Sequence, residues 1–273
     1  MITTTEAIVL KSMKYRETSK IVTFYTRRFG TVSGLAKGAR DRKSRFGAAL
    51  EPMTLVSLVF YKKEQRDLHL ISQCDILRLF KRLHSDLDRM GPGMAILELL
   101  YQVARNEEEN GPLFSLVLGS LEAAENAPVN FWNVYYAFQV GLASIFGFAP
   151  AFDHCVSCRR TLKEPEEGRE IPFHLGKGGF LCRECTSGGK VRIESLESAA
   201  GGLNLGSAAV RIRPATARVL RQFALLPLPE VSTVGCDPPI GNEVAETLRL
   251  YLRYHIEDLK PNHSAQLFQN LHP

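Results

Sequence analysis

The sequence predicts an α+β multidomain protein, in which a small N-terminal β-barrel precedes an α-helical domain that carries a four-cysteine insert. Three observations lead to this prediction. Short β-prone runs fill the chain to about residue 80, the apolar residues adopt a helical period after about residue 82, and two C-x-x-C pairs interrupt the helices. With 273 residues, 45% of them apolar, the chain is long enough to bury a core.

The N-terminal region consists of five runs rich in Val, Ile, Thr, Tyr and Phe, separated by turn residues. The runs are EAIVLKSMKY, SKIVTFYT, TVSGLAKGA, MTLVSLVFYKK and DLHLISQCDIL, which begin at Glu6, Ser19, Thr31, Met53 and Asp67. Five short strands without a helical period fit a closed barrel better than a sandwich. We therefore expect a small barrel.

The region after the barrel is predicted to be helical, because its apolar residues recur at spacings of three and four. In FWNVYYAFQVGLASIFG, Phe131, Tyr135, Phe138 and Leu142 follow this spacing. Helices are predicted over 93–106, 112–125, 130–146, 192–202, 214–226 and 243–258. The polar tail from Leu259 onward is expected to dock loosely or fray.

These patterns divide the chain into an N-terminal domain (1–80), a helical domain (81–151 and 191–273) and a cysteine-bearing insert (152–190). No run of about 18 uncharged apolar residues occurs, and the N-terminus lacks the residue order of a secretory signal. We therefore expect a cytoplasmic protein that does not enter a membrane.

Four of the six cysteines form two pairs, Cys155-x2-Cys158 and Cys182-x2-Cys185, with 23 residues between them. Each pair brings two sulfurs to one side of a tight turn, and two pairs supply the four thiolates that Zn²⁺ accepts at tetrahedral geometry. The alternatives are two disulfides, which a reducing cytoplasm disfavours, or four unrelated thiols. Four sulfur ligands leave no position for an activated water, so one structural zinc ion per chain is expected.

The charge of the chain is unevenly distributed. Residues 1–83 contain 17 Lys and Arg against 7 Asp and Glu, a net charge of +10 (17 − 7), whereas residues 84–150 contain 2 basic and 8 acidic residues. The densest basic segment is LAKGARDRKSRFG, from Leu35 to Gly47, between the third and fourth predicted strands. We expect a loop on the barrel rim, where its charges converge on a polyanion without being buried; a merely solvated surface is the alternative.

Motifs of several enzyme classes are missing from the sequence. The string GTVSGLAKGA lacks the Gly-Lys-Ser/Thr end of a phosphate-binding loop, and no G-x-S-x-G, H-E-x-x-H or dinucleotide fingerprint occurs. Asp86 and Asp88 lie two residues apart at a predicted helix start, where their side chains point in different directions rather than toward one Mg²⁺ ion. No catalytic residue is predicted, and the chain is expected to be a binding protein.

Two segments carry a resemblance to a known family. In EAIVLKSMKYRETSKIVTFYTRRFGTVSGLAKGARDRKSRFGAALEPM, the elements Tyr15, Glu17-Thr18-Ser19, Thr26, Gly30 and AKGAR…KS fall where that family has them. FGFAPAFDHCVSC followed by GGFLCREC matches its zinc-bearing members. The segments in this order resemble the RecO family of bacterial recombination mediators, and the similarity covers essentially the whole chain.

The resemblance implies an OB-fold at the N-terminus, followed by an α-helical domain with a zinc module. It also implies binding of single- and double-stranded DNA, annealing of complementary strands, partnership with RecR and with the single-strand binding protein SSB, and help in loading RecA. A protein with these partners is expected in the cytoplasm, associated with the nucleoid.

On the binding side of an OB-fold, basic side chains would neutralise phosphates, and counterion release would supply affinity without sequence preference. The predicted DNA contacts are Lys37, Arg40, Arg42, Lys43 and Arg45 of the basic segment, Arg27 and Arg28 of the preceding turn, and Lys11, Lys14 and Arg16, with Lys20, of the first two strands. Among them lie Tyr15, Tyr25, Phe29 and Phe46, which are either stacking faces or barrel core.

Annealing needs no active site, but a second basic surface would favour it. Candidates for that surface are Arg159 and Arg160 beside the first cysteine pair, or Arg211, Arg213, Arg218 and Arg221 farther along the chain. Two other function classes remain open. One is a zinc-ribbon OB-fold protein associated with RNA or transcription, and the other is a metal-dependent nuclease, which the absence of a carboxylate cluster disfavours.

Overall fold

The computed structural model describes residues 1–62, 66–104, 108–164, 168–187, 191–196 and 208–271. These residues form two compact units, one built from Met1–Asn126 and the segment that starts at Asn262, the other from Ala127–Pro261. The domain boundaries proposed from the sequence stay a prediction.

The first unit starts with a closed five-stranded barrel. Its strands are β1 (Ile2–Tyr15), β2 (Ser19–Thr26), β3 (Gly30–Ala36), β4 (Thr54–Tyr61) and β5 (Leu68–Leu79). The strand order around the barrel is β1-β2-β3-β5-β4, and all neighbouring pairs are antiparallel except the parallel pair β3–β5. This five-stranded Greek-key barrel is an OB-fold. The predicted barrel is confirmed.

Alternate strand residues fill the interior of the barrel, as the period of two requires. The interior includes Val9, Val22, Phe24, Val32, Val56, Leu58, Phe60 and Ile71. At the parallel pair, Gly34 of β3 lies opposite His69 of β5, and a Cβ atom on this glycine would lie 2.6 Å from Cγ1 of Ile71. The absence of a side chain at Gly34 therefore lets the two strands approach and close the barrel.

Helices follow the barrel in both units. They are α1 (Lys81–Ser85), α2 (Leu87–Val103), α3 (Gly111–Asn126), α4 (Trp132–Ile145), α5 (Arg183–Ser187), α6 (Pro214–Leu225), α7 (Pro238–His255) and α8 (His263–Leu271). Five of the six predicted helices correspond to α2, α3, α4, α6 and α7. The short helices α1 and α5 were not predicted, because one turn of helix has too few residues to show a period.

The C-terminal tail docks as α8 rather than fraying. The Glu98 carboxylate of α2 accepts hydrogen bonds from the backbone N–H groups of His263 and Ser264, both at 2.8 Å. Asn262 donates from Nδ2 to the carbonyl oxygen of Ala95 at 2.8 Å. These bonds satisfy the N-terminus of α8 on the surface of α2, and this long-range partner is not visible in the sequence of the tail.

The second unit combines α4, α6 and α7 with a small sheet. The strands of this sheet are β6 (Ile171–His174), β7 (Gly179–Phe180), β8 (Arg192–Glu194) and β9 (Ala208–Ile212), in the order β7-β6-β9-β8. The predicted helix over 192–202 is wrong at its start, because β8 pairs in parallel with β9. Residues 197–202 of that prediction lie outside the described residues.

None of the helices in the described part of the chain has the length and apolar character needed to cross a bilayer.

We predict that Gly34→Ala lowers the free energy of unfolding by about 1–3 kcal/mol, because the added methyl group overpacks against Ile71 at the closure of the barrel. The matched control is Ser33→Ala, the half-buried neighbour on the same strand, which should change stability by less than about 0.5 kcal/mol. Urea denaturation followed by circular dichroism measures both values. Equal stability of the two variants would show that the contact between β3 and β5 accommodates a methyl group at position 34.

Candidate nucleic-acid interface and metal centre

The basic segment of the sequence forms a loop, residues 37–45, whose two ends are fixed in the barrel. Ala36 at the end of β3 is fully buried, and Phe46 is 3% exposed. Inside the loop, the backbone N–H of Asp41 donates to the carbonyl of Gly38 at 3.2 Å, and that of Ser44 donates to the carbonyl of Asp41 at 2.9 Å. The loop therefore projects from two buried anchors and folds back on itself between them.

Arg40 ties this basic loop to the β1–β2 hairpin. Its Nη1 donates to the carbonyl oxygens of Arg16 at 3.0 Å and Glu17 at 2.8 Å, and its backbone N–H donates to the carbonyl of Thr18 at 2.9 Å. All three acceptors belong to the hairpin turn. The side chain of Arg40 thus positions the loop as well as contributing charge.

The strand register continues the basic surface onto β1 and β2. Lys14 lies opposite Lys20, and Lys20 lies opposite Ala36, the residue that precedes Lys37. Two lysines facing each other repel. Glu51 offsets this repulsion, because its carboxylate accepts a hydrogen bond from Nζ of Lys20 at 3.0 Å. Lys20 is therefore neutralised, and Lys14 remains available beside the loop.

Most cations of the loop are exposed and have no acidic partner. This holds, within the part of the chain that the structure describes, for Lys37, Arg42, Lys43 and Arg45. The guanidinium carbon of Arg45 lies 5.1 Å from the ring centre of Phe46, and that of Arg16 lies 5.3 Å from the ring centre of Tyr15. The loop and the hairpin turn thus present several uncompensated positive charges to solvent, with Asp41 as the acid of the loop.

Arg27 and Arg28 lie away from this cluster, although the sequence suggested that they join it. They follow β2, whereas the hairpin turn precedes it, and the ends of an eight-residue strand are roughly 24 Å apart. Arg27 pairs through Nε with Glu6 at 2.6 Å, and its guanidinium carbon lies 4.4 Å from the ring centre of Phe114. Arg28 is exposed. Arg27 therefore supports the contact between barrel and α3, and neither residue lines the loop.

The aromatic residues near the basic loop divide between core and surface. Tyr25 and Phe46 are 1% and 3% exposed, so they are core and offer no face to a ligand. Tyr15 and Phe29 are half-buried. Lys11 is exposed on β1, opposite Thr23.

An exposed apolar row on the outer wall of the barrel was not found from the sequence. Successive register pairs join Met13, Ile21, Leu35, Leu70 and Tyr61 across all five strands. Met13 is 46% exposed and Tyr61 is 39% exposed. In the sequence, these residues can be recognised as outward-facing positions of alternating strands. Only the strand register places them in one row.

The four predicted cysteine ligands lie together in the second unit. The sulfur atoms of Cys155, Cys158, Cys182 and Cys185 all lie within 4.8 Å of one another. Sγ of Cys158 is 3.7 Å from Sγ of Cys182, far beyond the S–S bond length of about 2.05 Å. Four sulfurs around a metal at about 2.3 Å in tetrahedral geometry are roughly 3.8 Å apart. The four-cysteine cluster therefore has the spacing of a metal site rather than of disulfides.

The backbone around the cluster favours thiolate at one position. Burial opposes ionisation of the Cys155 thiol, but backbone N–H groups of Cys182, Cys158 and Ser157 lower its pKa to about 6. The neighbouring thiols of Cys182 and Cys158 raise the pKa of Cys185 to about 12. A cation among the sulfurs would favour all four thiolates, so the donor set fits a thiolate-binding metal ion.

Local structure explains how each cysteine pair turns. Arg159 has φ of 64°, and its backbone N–H donates to the carbonyl of Cys155 at 2.8 Å, which closes the first turn. The second pair lies at the start of α5, and the N–H of Cys182 donates to Sγ of Cys155 at 3.3 Å. The apolar core beneath is small, with Cys155, Leu181 and Ala209 as its buried members.

The arginines considered for a second basic surface are largely engaged. Arg160 pairs with Glu184, Arg211 with Glu170 at 3.7 Å, Arg213 with Glu243 at 3.0 Å, and Arg221 with Glu164 at 2.8 Å. Arg159 contacts His154, with 3.0 Å between Nη1 and Nε2. The charge of the four arginines with glutamate partners is thus partly offset, in contrast to that of the basic loop.

Comparison with known proteins gives matches along both units. The family model described as "Recombination protein O N terminal" matches residues 1–80, and that described as "Recombination protein O C terminal" matches residues 84–265. A "DNA repair protein RecO" from Chloroherpeton thalassium is 30% identical over 274 residues, covering 99% of each chain. The protein with the same description from Salinibacter ruber is 31% identical over 270 residues, covering 98% of this chain and 93% of the relative.

We predict that Arg40→Lys loosens the basic loop, because the lysine ammonium ends one bond short of the position of Nη1, the atom that donates to the carbonyl oxygens of Arg16 and Glu17. Amide hydrogen exchange within residues 37–46 should become about fivefold faster, whereas exchange in β4 should not change. Lys43→Ala, which removes an exposed charge without a partner, is the control and should leave exchange as it is. If amide protection is unchanged in the Arg40→Lys protein, Arg40 does not position the loop.

Proposed function

The chain belongs to the RecO family of DNA repair proteins, and from this premise we propose that it binds single- and double-stranded DNA and anneals complementary strands. We further propose that it acts with RecR and SSB to help load RecA, in the cytoplasm at the nucleoid, and catalyses no covalent reaction. The observation that carries the proposal is the set of uncompensated cations on the basic loop, which is fixed at both ends in the OB-fold barrel.

The basic loop is suited to phosphates rather than to base edges. Lys37, Arg42, Lys43 and Arg45 are exposed, so they can contact the phosphates of a backbone of any sequence. Each neutralised phosphate releases counterions, which gives affinity that falls as salt rises. Because single and double strands share the phosphate backbone, both are bound by the same charges.

The hairpin and the outer wall of the barrel extend this surface. Lys14 and Arg16 add charge next to the loop, and the exposed apolar row that ends in Tyr61 offers a surface to unstacked bases. Stacking of a base on an exposed aromatic ring contributes about 1–3 kcal/mol. These features support binding of single strands in addition to duplex.

Annealing follows from charge neutralisation. Two strands repel each other through their phosphates, and a cationic surface that holds them lowers this repulsion. Contacts to phosphates leave the base edges free to pair. The protein would thus accelerate pairing without ATP and without an active site.

The carboxylates that could suggest a nuclease have structural partners. Asp86 accepts the N–H of Asp88 at 3.0 Å as the cap of α2, and it pairs with Nε of Arg89 at 3.1 Å. Within the described residues, the four-cysteine cluster is the group of potential metal ligands that comes together. Absence of DNA cleavage with Mg²⁺ or Mn²⁺ is the expected result, and the same assays with RNA test the alternative of an RNA-associated protein.

We infer that the four-cysteine cluster holds one Zn²⁺ ion. Four thiolates match the ligand preference of zinc and occupy every tetrahedral position, so the ion would supply folding energy and no reactive water. Cys155, Cys158, Cys182 and Cys185 would hold it, joining two turns over a core too small to be stable alone. The DNA surface of the barrel does not use the metal.

We predict that Lys37→Ala/Lys43→Ala/Arg45→Ala weakens binding of single- and double-stranded DNA, whatever the sequence. Three lost phosphate contacts should reduce the slope of log K against log [salt] by about 2. Fluorescence anisotropy over a range of NaCl concentrations measures the slope, and the annealing rate of complementary strands should fall in parallel.

The matched control for the loop is Lys37→Arg/Lys43→Arg/Arg45→Lys, which keeps the charge and changes the side chains. This protein should retain the wild-type slope. If the alanine variant also retains the wild-type slope, the loop is not the DNA site and the proposal fails.

We predict one zinc ion per chain in protein purified without chelator, measured by inductively coupled plasma mass spectrometry. Cys158→Ser should lose the ion and unfold the second unit at lower temperature, because binding of a structural zinc ion stabilises by about 10 kcal/mol or more. Cys236→Ser, a cysteine outside the cluster, is the control and should keep both zinc and stability. If the wild-type protein loses its metal without any change in its melting curve, the inference is refuted.

A further inference from the structure

A groove with a volume of 490 Å³ lies next to the four-cysteine cluster, wholly within the second unit. Its floor is apolar, with the half-buried side chains of Leu162, Ile171, Pro172 and Ile193. Cys182 and its neighbours in α5 form one wall. The groove is large enough for a ligand with an apolar face of nucleotide size.

The rim of the groove carries an excess of positive charge. Among the residues that the structure describes, it contains six basic and three acidic residues, which come from segments far apart in the sequence. Each acidic residue pairs with an arginine of the rim, in the pairs Arg160–Glu184, Arg211–Glu170 and Arg221–Glu164. Within the described part of the rim, three cations therefore remain without an acidic partner.

The remaining cations are Lys163, Arg169 and Arg183. All three are exposed, and none has an acidic partner among the residues that the structure describes. They line the same groove as the apolar residues. A ligand bound there would bury an apolar face against the floor and place negative charge near these cations. An anionic ligand with flat apolar faces fits this arrangement.

The composition of the rim favours nucleic acid over an acidic peptide. Five of the six rim cations are arginines. A guanidinium group binds phosphate and carboxylate alike in a bidentate manner, but it also stacks on the flat face of a base, which an acidic side chain does not offer. A strand of nucleic acid also supplies both required parts in each repeat, a base with apolar faces and a phosphate.

We propose that this groove holds a strand of single-stranded nucleic acid, with phosphates on Lys163, Arg169 and Arg183 and a base against the apolar floor. Given the proposed function, in which the basic loop binds a first strand, the groove would let one chain hold a second strand at the same time. The groove is then the second basic surface that annealing favours.

The test counts strands per chain. The probe is a fluorescein-labelled oligothymidylate of about 15 nucleotides, which cannot pair with itself and is close to the site size of one OB-fold. Native mass spectrometry of the full chain at low salt should detect two bound strands. The variant Lys163→Ala/Arg169→Ala/Arg183→Ala should bind one strand, and the salt slope summed over both sites should fall by about 2.

Two control proteins test whether the effect is specific. Lys163→Arg/Arg169→Lys/Arg183→Lys keeps the groove charge and should bind two strands, as should Arg253→Ala, which removes an exposed arginine outside the groove. Circular dichroism melting should be the same for all variants, since the substituted side chains are exposed.

The outcomes separate this inference from the proposed function. If the wild-type chain binds one strand and the alanine variant of the basic loop binds none, the inference about the groove is wrong and the basic loop remains the DNA site. Binding of two strands by the groove alanine variant would also contradict the inference about the groove. If a labelled peptide of alternating Glu and Leu binds the wild type, is not displaced by the oligothymidylate and is lost in the groove variant, the groove is a peptide site instead.

Discussion

The burial of Ala36 and Phe46 at the two ends of the basic loop is the interaction on which the candidate DNA surface depends. Positive charges cannot enter the core, and on a free chain they would repel one another and spread. Two anchors in a closed barrel hold the loop in a small volume while every charge remains hydrated. Arg40 adds a third restraint by binding the carbonyl groups of the hairpin turn.

Barrel closure is the condition for this anchoring. The strands that flank the loop, β3 and β4, are joined through β5, and the parallel contact of β3 with β5 requires the missing side chain of Gly34. Closure also brings the outward positions of five strands into one apolar row. The same geometry thus places charge at the rim and apolar surface on the wall, two features that single-stranded nucleic acid can use together.

The second unit differs from the barrel in how its cysteine-bearing part is held together. Among the described residues, the apolar core beneath its cysteine pairs has Cys155, Leu181 and Ala209 as buried members. A metal ion held by the four cysteines, as proposed, would substitute for a larger core. By holding the first cysteine pair against the second, the four-cysteine cluster also shapes a wall of the adjacent groove. The proposed metal site and the proposed nucleic-acid groove thus share Cys182.

The sequence by itself determined the strands of the barrel, five of the helices, the two cysteine pairs and the position of the basic loop between β3 and β4, because these depend on local period and spacing. Only the tertiary structure decided the rest. Strand length separates Arg27 from the loop, although only 12 residues lie between Arg27 and Arg40 in the sequence. Non-local pairing makes Arg192–Glu194 a strand, and ion pairs between distant segments decide which arginines keep free charge. Such contacts join residues far apart in sequence, so no local pattern encodes them.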